Sequence, residues 1–292
     1  MLASLAGFLA ALQTPAATAA ACQGRDGWSD PAPPARIHGD TYYVGTCGIS
    51  AILVTGPAGH ILIDGATAEA APRIAVNIER LGFRVADVRL ILNSHEHADH
   101  VGGIAELQRL SGAVVAARAP ALAALRAGRS QPGDPLYGSD IPFPPIRGGL
   151  ALRDGEVVRL GPLRLTAHAT LGHTPGSTSW SWRSCEERAC LTIVYADSMT
   201  TVSADAHRFS DHPAYVAAFR RSLARVGSLR CDLLLTPHPG ASGLFERFAS
   251  GRLVDTAACH NYATRASAQL DARLQQESGH RPGDQGRRTR RE

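Results

Sequence analysis

The sequence contains no lysine; all 30 of its Lys-plus-Arg positions are arginine. That absence excludes Schiff-base chemistry on a lysine amine and a lysine anchor for an anionic substrate. No C-x-x-C pair occurs among the six cysteines, which argues against a thiolate zinc site. The apolar run Leu2 to Leu12 is too short to span a bilayer, so no stable membrane association is expected. Net charge is only +4, and the last fifteen residues hold most of it in Arg281, Arg287, Arg288, Arg290 and Arg291. The rest of the chain is nearly neutral, and no nucleic-acid surface is expected.

What is present is an ordinary globular composition, 44% hydrophobic and 19% charged over 292 residues. That length suits one large core or two fused halves. Leu2 to Leu12 followed by small residues, with Ala17-Thr18-Ala19 as an A-x-A site, reads as an export signal over residues 1–21. Six cysteines agree with export to the periplasm or beyond. They allow fifteen pairings. Cys185 and Cys190 flank the charged loop Glu186-Glu187-Arg188 between two strand-like runs, which favours pairing them. Cys22 with Cys47 and Cys231 with Cys259 are then the proposed remainder.

Residues 23–41 are polar and rich in Pro and Gly, and read as an arm. Strand-like runs follow at Tyr42 to Val44, Ile49 to Thr55, His60 to Asp64 and Val88 to Ser94. A helix fits Ala68 to Leu81, with Ile74, Ile78 and Leu81 on one face. Gly103 to Leu110 reads as helix, Val114 to Ala116 as strand and Pro120 to Ala127 as a short helix. Gly128 to Gly149 is a long Pro- and Gly-rich loop, of the kind that is usually functional. A second half gives the hairpins Val157 to Leu160 with Leu163 to Ala169, and Ser179 to Arg183 with Leu191 to Tyr195. Helix Pro213 to Val226, strand Asp232 to Thr236 and helix Val254 to Leu274 complete it. Each half runs strands first and then helix. The expected fold is a four-layer αββα sandwich of two mixed β-sheets with helices on the outer faces. The domain is expected over 22–276, with a disordered basic tail over 277–292.

The chemical signal is Ser94-His95-Glu96-His97-Ala98-Asp99-His100. In extended backbone His95 and His97 point the same way, while Asp99 and His100 point differently. Four ligand-type side chains facing two directions suit two metal ions. His173 in Gly172-His173-Thr174-Pro175-Gly176 and His238 in Thr236-Pro237-His238-Pro239 sit on loops just past strands, where ligands are expected.

His95-x-His97-x-Asp99-His100 with His173 and His238 resembles the metallo-β-lactamase superfamily, over about Tyr42 to Leu274. The stretches Gly45-Thr46-Cys47-Gly48, Tyr195-Ala196-Asp197-Ser198-Met199-Thr200, Arg208-Phe209-Ser210-Asp211-His212-Pro213 and Thr236-Pro237-His238-Pro239 look most like the third subclass of class B β-lactamases. The three cysteine pairs fit a branch of that subclass. The resemblance implies one zinc on His95, His97 and His173, and a second on Asp99, His100 and His238. Ser198 near the place of the first subclass's cysteine ligand, and the missing lysine, both point to the third subclass.

The implied reaction is hydrolysis of a small-molecule β-lactam by a water activated between two Zn2+ ions, with Asp99 orienting that water. Penicillins, cephalosporins and carbapenems are the implied substrates. Ser198 and Thr200 are implied donors to the substrate carboxylate. Met199 after Ser198 leaves no G-x-S-x-G elbow there. Leu136, Tyr137 and Phe143 of the long loop are candidate substrate contacts. Glu96 is expected to support the ligands or to face solvent rather than react. The alternative is a thioester, lactone or phosphoester hydrolase of the same fold, favoured if Asp197 bridges the two metals. No helical zipper is seen, and a monomer is expected.

Overall fold

The computed structural model describes residues 14–187 and 189–279. The apolar start of the proposed export signal, Arg188 of the cysteine loop and the Arg-rich stretch from His280 onward lie outside the described residues.

The first half runs α1 (Pro15–Ala21), β1 (Ala35–His38), β2 (Thr41–Tyr43), β3 (Ile52–Val54), β4 (His60–Ile63), α2 (Ala71–Arg80) and β5 (Val88–Leu92). It continues with α3 (Ala98–Val101), α4 (Ile104–Ser111), β6 (Val114–Arg118), α5 (Ala119–Ala127) and β7 (Leu150–Leu152). The second half runs β8 (Val157–Leu160), β9 (Leu163–Ala169), β10 (Thr178–Glu186), β11 (Ala189–Tyr195), α6 (Pro213–Ser228), β12 (Leu233–Leu235), α7 (Leu244–Ser250) and α8 (Ala258–Gly279). Among the described residues, β1 to β7 form a seven-stranded sheet in chain order, and a five-stranded sheet has the order β12-β11-β10-β9-β8. Both are mixed: β1 to β4 pair antiparallel and β4 to β7 parallel, while β12 lies parallel to β11 in the otherwise antiparallel second sheet.

The side-chain period of two distributes each strand between two cores. On β4, Ile61 and Ile63 face the second sheet, and Leu62 faces the helices. On β11, Ile193 and Tyr195 enter the core between the sheets, and Val194 packs under Phe219 and Tyr262 of α6 and α8. Ile74 and Ile78 of α2, Leu107 of α4 and Leu122 and Leu125 of α5 cover the outer face of the first sheet. The expected αββα layering follows. β3 and β4 are buried at every residue, as strands covered on both faces must be. Trp180 is fully buried between the sheets, and its Nε1 donates to the Asn93 carbonyl at 2.9 Å. That bond ties the second sheet to the segment that leads into the His95–His100 motif.

The proposed disulfides are all present: Cys22–Cys47, Cys185–Cys190 and Cys231–Cys259. Several elements differ from expectation. The arm contains β1, where Ala35 and Ile37 point into the core and Arg36 points out; the Pro-rich flank hides so short an alternation. β7 is a mostly exposed strand with no apolar pattern. The last helix starts at Ala258, after Asp255 caps the Ala257 N–H at 2.9 Å, and it continues to Gly279. The boundary expected at residue 276 therefore falls inside α8. Residues 15–21 of the expected export signal form α1, with Thr18 and Ala19 buried. Thr18 Oγ1 donates to the Pro33 carbonyl at 3.0 Å.

Candidate metal centre

The site is built where β5, β9, β11 and β12 end. Asp64, just past β4, fixes its floor. Its carboxylate accepts from the Ser94 N–H, the Ser94 hydroxyl and the Tyr195 hydroxyl, each at 2.7 Å. Asp64 has φ 64° and Ala66 has φ 53°, in the left-handed region that costs a side chain energy. The Ser94 carbonyl accepts from Thr178 N–H at 2.7 Å, stitching the two sheets beneath the motif. Behind it, a Cβ on Gly103 would lie 2.2 Å from the Gly65 carbonyl oxygen, so only glycine lets the motif pack this closely.

The six expected ligands converge. His97 Nδ1 and His173 Nε2 are 3.1 Å apart, and His95, His97 and His173 each offer one atom within 4.8 Å of the others. Beside them, Asp99 Oδ2 lies 3.1 Å from His100 Nε2 and 3.4 Å from His238 Nε2. Those two nitrogens are 3.3 Å apart. Ring nitrogens and a carboxylate gathered this closely are the donor set that a metal ion would bridge. The buried His95 Nε2 has no hydrogen-bond partner, which leaves it free as a ligand atom.

Electrostatics prepares most of the candidate ligands for a metal; at His97 burial would lower the pKa, but Asp134 and Glu96 outweigh it and raise it. Burial, and then neighbouring imidazoles, hold His95 and His173 well below the ordinary histidine value. Burial and His100 push His238 down to about 4. Burial would raise Asp99, but His100, His238 and His97 outweigh it and keep it well below the carboxylate range. Neutral imidazole and ionised carboxylate are the forms that bind a metal. Imidazole and carboxylate donors without thiolate suit zinc.

A second layer of buried groups aims the first. Asp197 Oδ1 lies 2.8 Å from His95 Nδ1. Asp197 therefore backs a ligand instead of standing among the donor atoms. Asp134 Oδ1 lies 3.3 Å from His97 Nε2. Glu96 accepts from the Thr174 hydroxyl at 2.7 Å and the Gly176 N–H at 2.9 Å, tying the His95–His97 segment to the His173 loop. Burial pushes Glu96 up to about 7. Its supporting position agrees with expectation. Thr200 Oγ1 is 2.9 Å from His173 Nδ1 at the exposed rim. Ser198 is buried two residues before it. Of the three loop residues offered as substrate contacts, Phe143 instead packs in the core with Ile146. Tyr137 is exposed.

Asp64 and Asp134 were not singled out in the sequence. Asp64 carried a usable signal, an acid ending an apolar strand before Gly65. Asp134 carried none, because its partner is 37 residues away.

The sequence profile of the metallo-beta-lactamase superfamily matches residues 44–186. The metallo-β-lactamase MIM-1 from Novosphingobium pentaromativorans is 51% identical, with a TM-score of 0.87 over 90% of this chain and 98% of its own. MEM-A1, described as a subclass B3 metallo-β-lactamase from a soil metagenome library, is 46% identical. Its TM-score is 0.84 over 87% of this chain and 99% of its own. A hydroxyacylglutathione hydrolase of Rhodopseudomonas palustris is 37% identical over 124 residues, 40% of this chain and 39% of that protein's length.

Proposed function

The chain belongs to the metallo-β-lactamase superfamily, and on that premise we propose that it is a zinc-dependent hydrolase of the β-lactam amide bond. The observation that carries this reading is the 51% identity to a solved metallo-β-lactamase across nine-tenths of the chain.

His95 Nε2, His97 Nδ1 and His173 Nε2 would hold one zinc. Asp99, His100 Nε2 and His238 Nε2 would hold a second. Zinc in such sites supplies Lewis acidity, which lowers the pKa of water toward neutrality and polarises a carbonyl. The protein's part is orientation. With the other nitrogen of each ring committed to metal, His95 Nδ1–H donates to Asp197 and His97 Nε2–H donates to Asp134. His173 Nδ1–H donates to Thr200, toward Oγ1 or the carbonyl. The Thr200 hydroxyl then keeps its own proton for a substrate carboxylate at the rim, beside Ser198. Asp99, held ionised beside His100 and His238, would accept a hydrogen bond from a water at the site and so orient it. No protein nucleophile is required.

The test is hydrolysis of a carbapenem and a chromogenic cephalosporin by purified protein, with and without a chelator. Turnover that the chelator abolishes and zinc restores is the expected outcome. A protein that binds zinc and turns over neither substrate would sink the β-lactamase reading. It would favour thioester hydrolysis, the second reading, which the partial match to hydroxyacylglutathione hydrolases supports. Against that second reading stands the turn of Asp197 toward His95, since a bridging role would place it among the donors.

Carbapenem turnover, action as a monomer and export to the periplasm belong to the same proposal. Three disulfides support export, and among the described residues no helix is long and apolar enough to cross a membrane. Because Thr18 and Ala19 are buried against the fold, a cut after Ala19 or Ala21 would remove packed structure. N-terminal sequencing of the exported protein would show where the cut falls.

A further inference from the structure

The loop 128–149 is anchored at both ends. Phe143 N–H donates to the Gly128 carbonyl at 2.9 Å, and Ser130 N–H donates to the Asp140 carboxylate at 2.8 Å. Between these anchors the surface is open, with Tyr137 and Ile141 more than half exposed. One acidic side chain turns inward from this stretch: Asp134, 4% exposed. The turn is wound around it. Asp134 N–H donates to the Gln131 carbonyl at 3.1 Å, and Tyr137 N–H donates to the Asp134 carbonyl at 2.9 Å. Its Oδ1 accepts the Leu136 N–H at 2.8 Å and faces His97 Nε2 at 3.3 Å, while its Oδ2 is buried without a partner. The same loop reaches the Thr200 segment, where Ala204 N–H donates to the Pro135 carbonyl at 2.9 Å.

A residue needed only to form the turn would use one oxygen for the Leu136 amide and leave the rest of its side chain in water. Burying a carboxylate is costly unless it is paired. Beyond the Leu136 amide, the side chain that offsets that cost is the His97 ring. An imidazole has one proton to place between two nitrogens, and a carboxylate at Nε2 places it there. That leaves Nδ1, the atom 3.1 Å from His173 Nε2, as the free electron pair.

We propose that Asp134 is a positioning residue that sets the Nε2–H tautomer of His97 and thereby couples the order of the 128–149 loop to metal occupancy of the His95–His97–His173 site. The proposal rests on the metal reading of that site and not on the substrate. Coupling of this kind is reciprocal: whatever the ordered loop adds to metal affinity, bound metal adds to loop order. The 128–149 loop and the first metal site then behave as one unit, and the loop's sequence tunes metal retention from outside the ligand set.

The test needs no substrate. Zinc dissociation constants of wild type, Asp134→Asn and Asp134→Ala are measured by competition with a chromophoric chelator. Backbone amide exchange over residues 131–137 is followed with and without zinc. The expected result is zinc binding weakened by roughly 10- to 100-fold in Asp134→Ala and less in Asp134→Asn, which retains an acceptor oxygen. In wild type, zinc slows exchange of the loop amides; in Asp134→Ala it no longer does. Imidazole 15N spectra should show His97 as the Nε2–H tautomer in wild type and a mixture in Asp134→Ala. Loop exchange in wild type that ignores zinc would overturn the coupling without any variant. Zinc constants within about twofold of wild type in folded Asp134→Ala would overturn the positioning role. A wild-type protein that binds no zinc would instead overturn the metal reading beneath it.

Discussion

Asp64 shows how much of the site rests on a residue that touches no ligand. It accepts three short hydrogen bonds from Ser94 and Tyr195 at a left-handed φ of 64°. Asparagine tolerates that backbone, so Asp64→Asn isolates the loss of the carboxylate from the strain. The expected cost is about 1–3 kcal/mol in urea unfolding, the usual range when a buried acceptor set is broken. A variant with the wild-type midpoint would show that the floor of the site does not depend on this charge. At the same scale, the ligands and their supports differ in legibility. His95, His97, Asp99 and His100 fall within six residues, so their chemistry shows in a local motif. Their supports pair across the chain: Asp197 with His95 over 102 residues, and Glu96 with Thr174 over 78. Only the packed sheets bring such pairs within hydrogen-bond distance.

At the scale of elements, α8 ends on a buried acid. Glu277, 7% exposed, accepts from Phe209 N–H at 3.1 Å, from Ser210 N–H at 2.7 Å and from the Arg273 guanidinium at 2.5 Å. Burial alone would raise its pKa, but Arg273 and those amides outweigh it and hold it below the ordinary carboxylate value. A depressed acid stabilises the fold above its unfolded pKa of about 4.3, and that contribution is lost as pH falls through the lower folded value. Glu277→Gln should therefore unfold at lower urea than wild type at pH 7, with the gap closing near pH 3. A gap independent of pH would mean that packing, not charge, holds this helix end. The sequence placed the domain's end at residue 276 because the surrounding residues are polar. A polar residue buried by its partners leaves no hydrophobic pattern to read. The same holds for β1, whose two inward residues are too few to show a period.

For the whole molecule, the metal is part of the stability. A metal bound only by the folded state stabilises it by mass action. At free zinc about 1,000-fold above the dissociation constant this amounts to about 4 kcal/mol. For a domain of this size that corresponds to a rise in Tm of roughly 8–16 °C. Calorimetry of chelator-treated and zinc-restored protein checks it. An unchanged Tm in a sample shown to bind zinc would mean that the unfolded chain binds metal equally well.

The sequence by itself determined the layers, most of the strands and the six residues that the structure gathers as candidate ligands. Apolar periodicity is a local property, and metal ligands need particular side-chain types whatever surrounds them. Only the tertiary structure decided which nitrogen of each histidine faces the site. It also decided that Asp197 backs His95 and that a carboxylate from a surface loop reaches His97. Those outcomes depend on distances between residues far apart in the chain, and two packed sheets set such distances where no local pattern can.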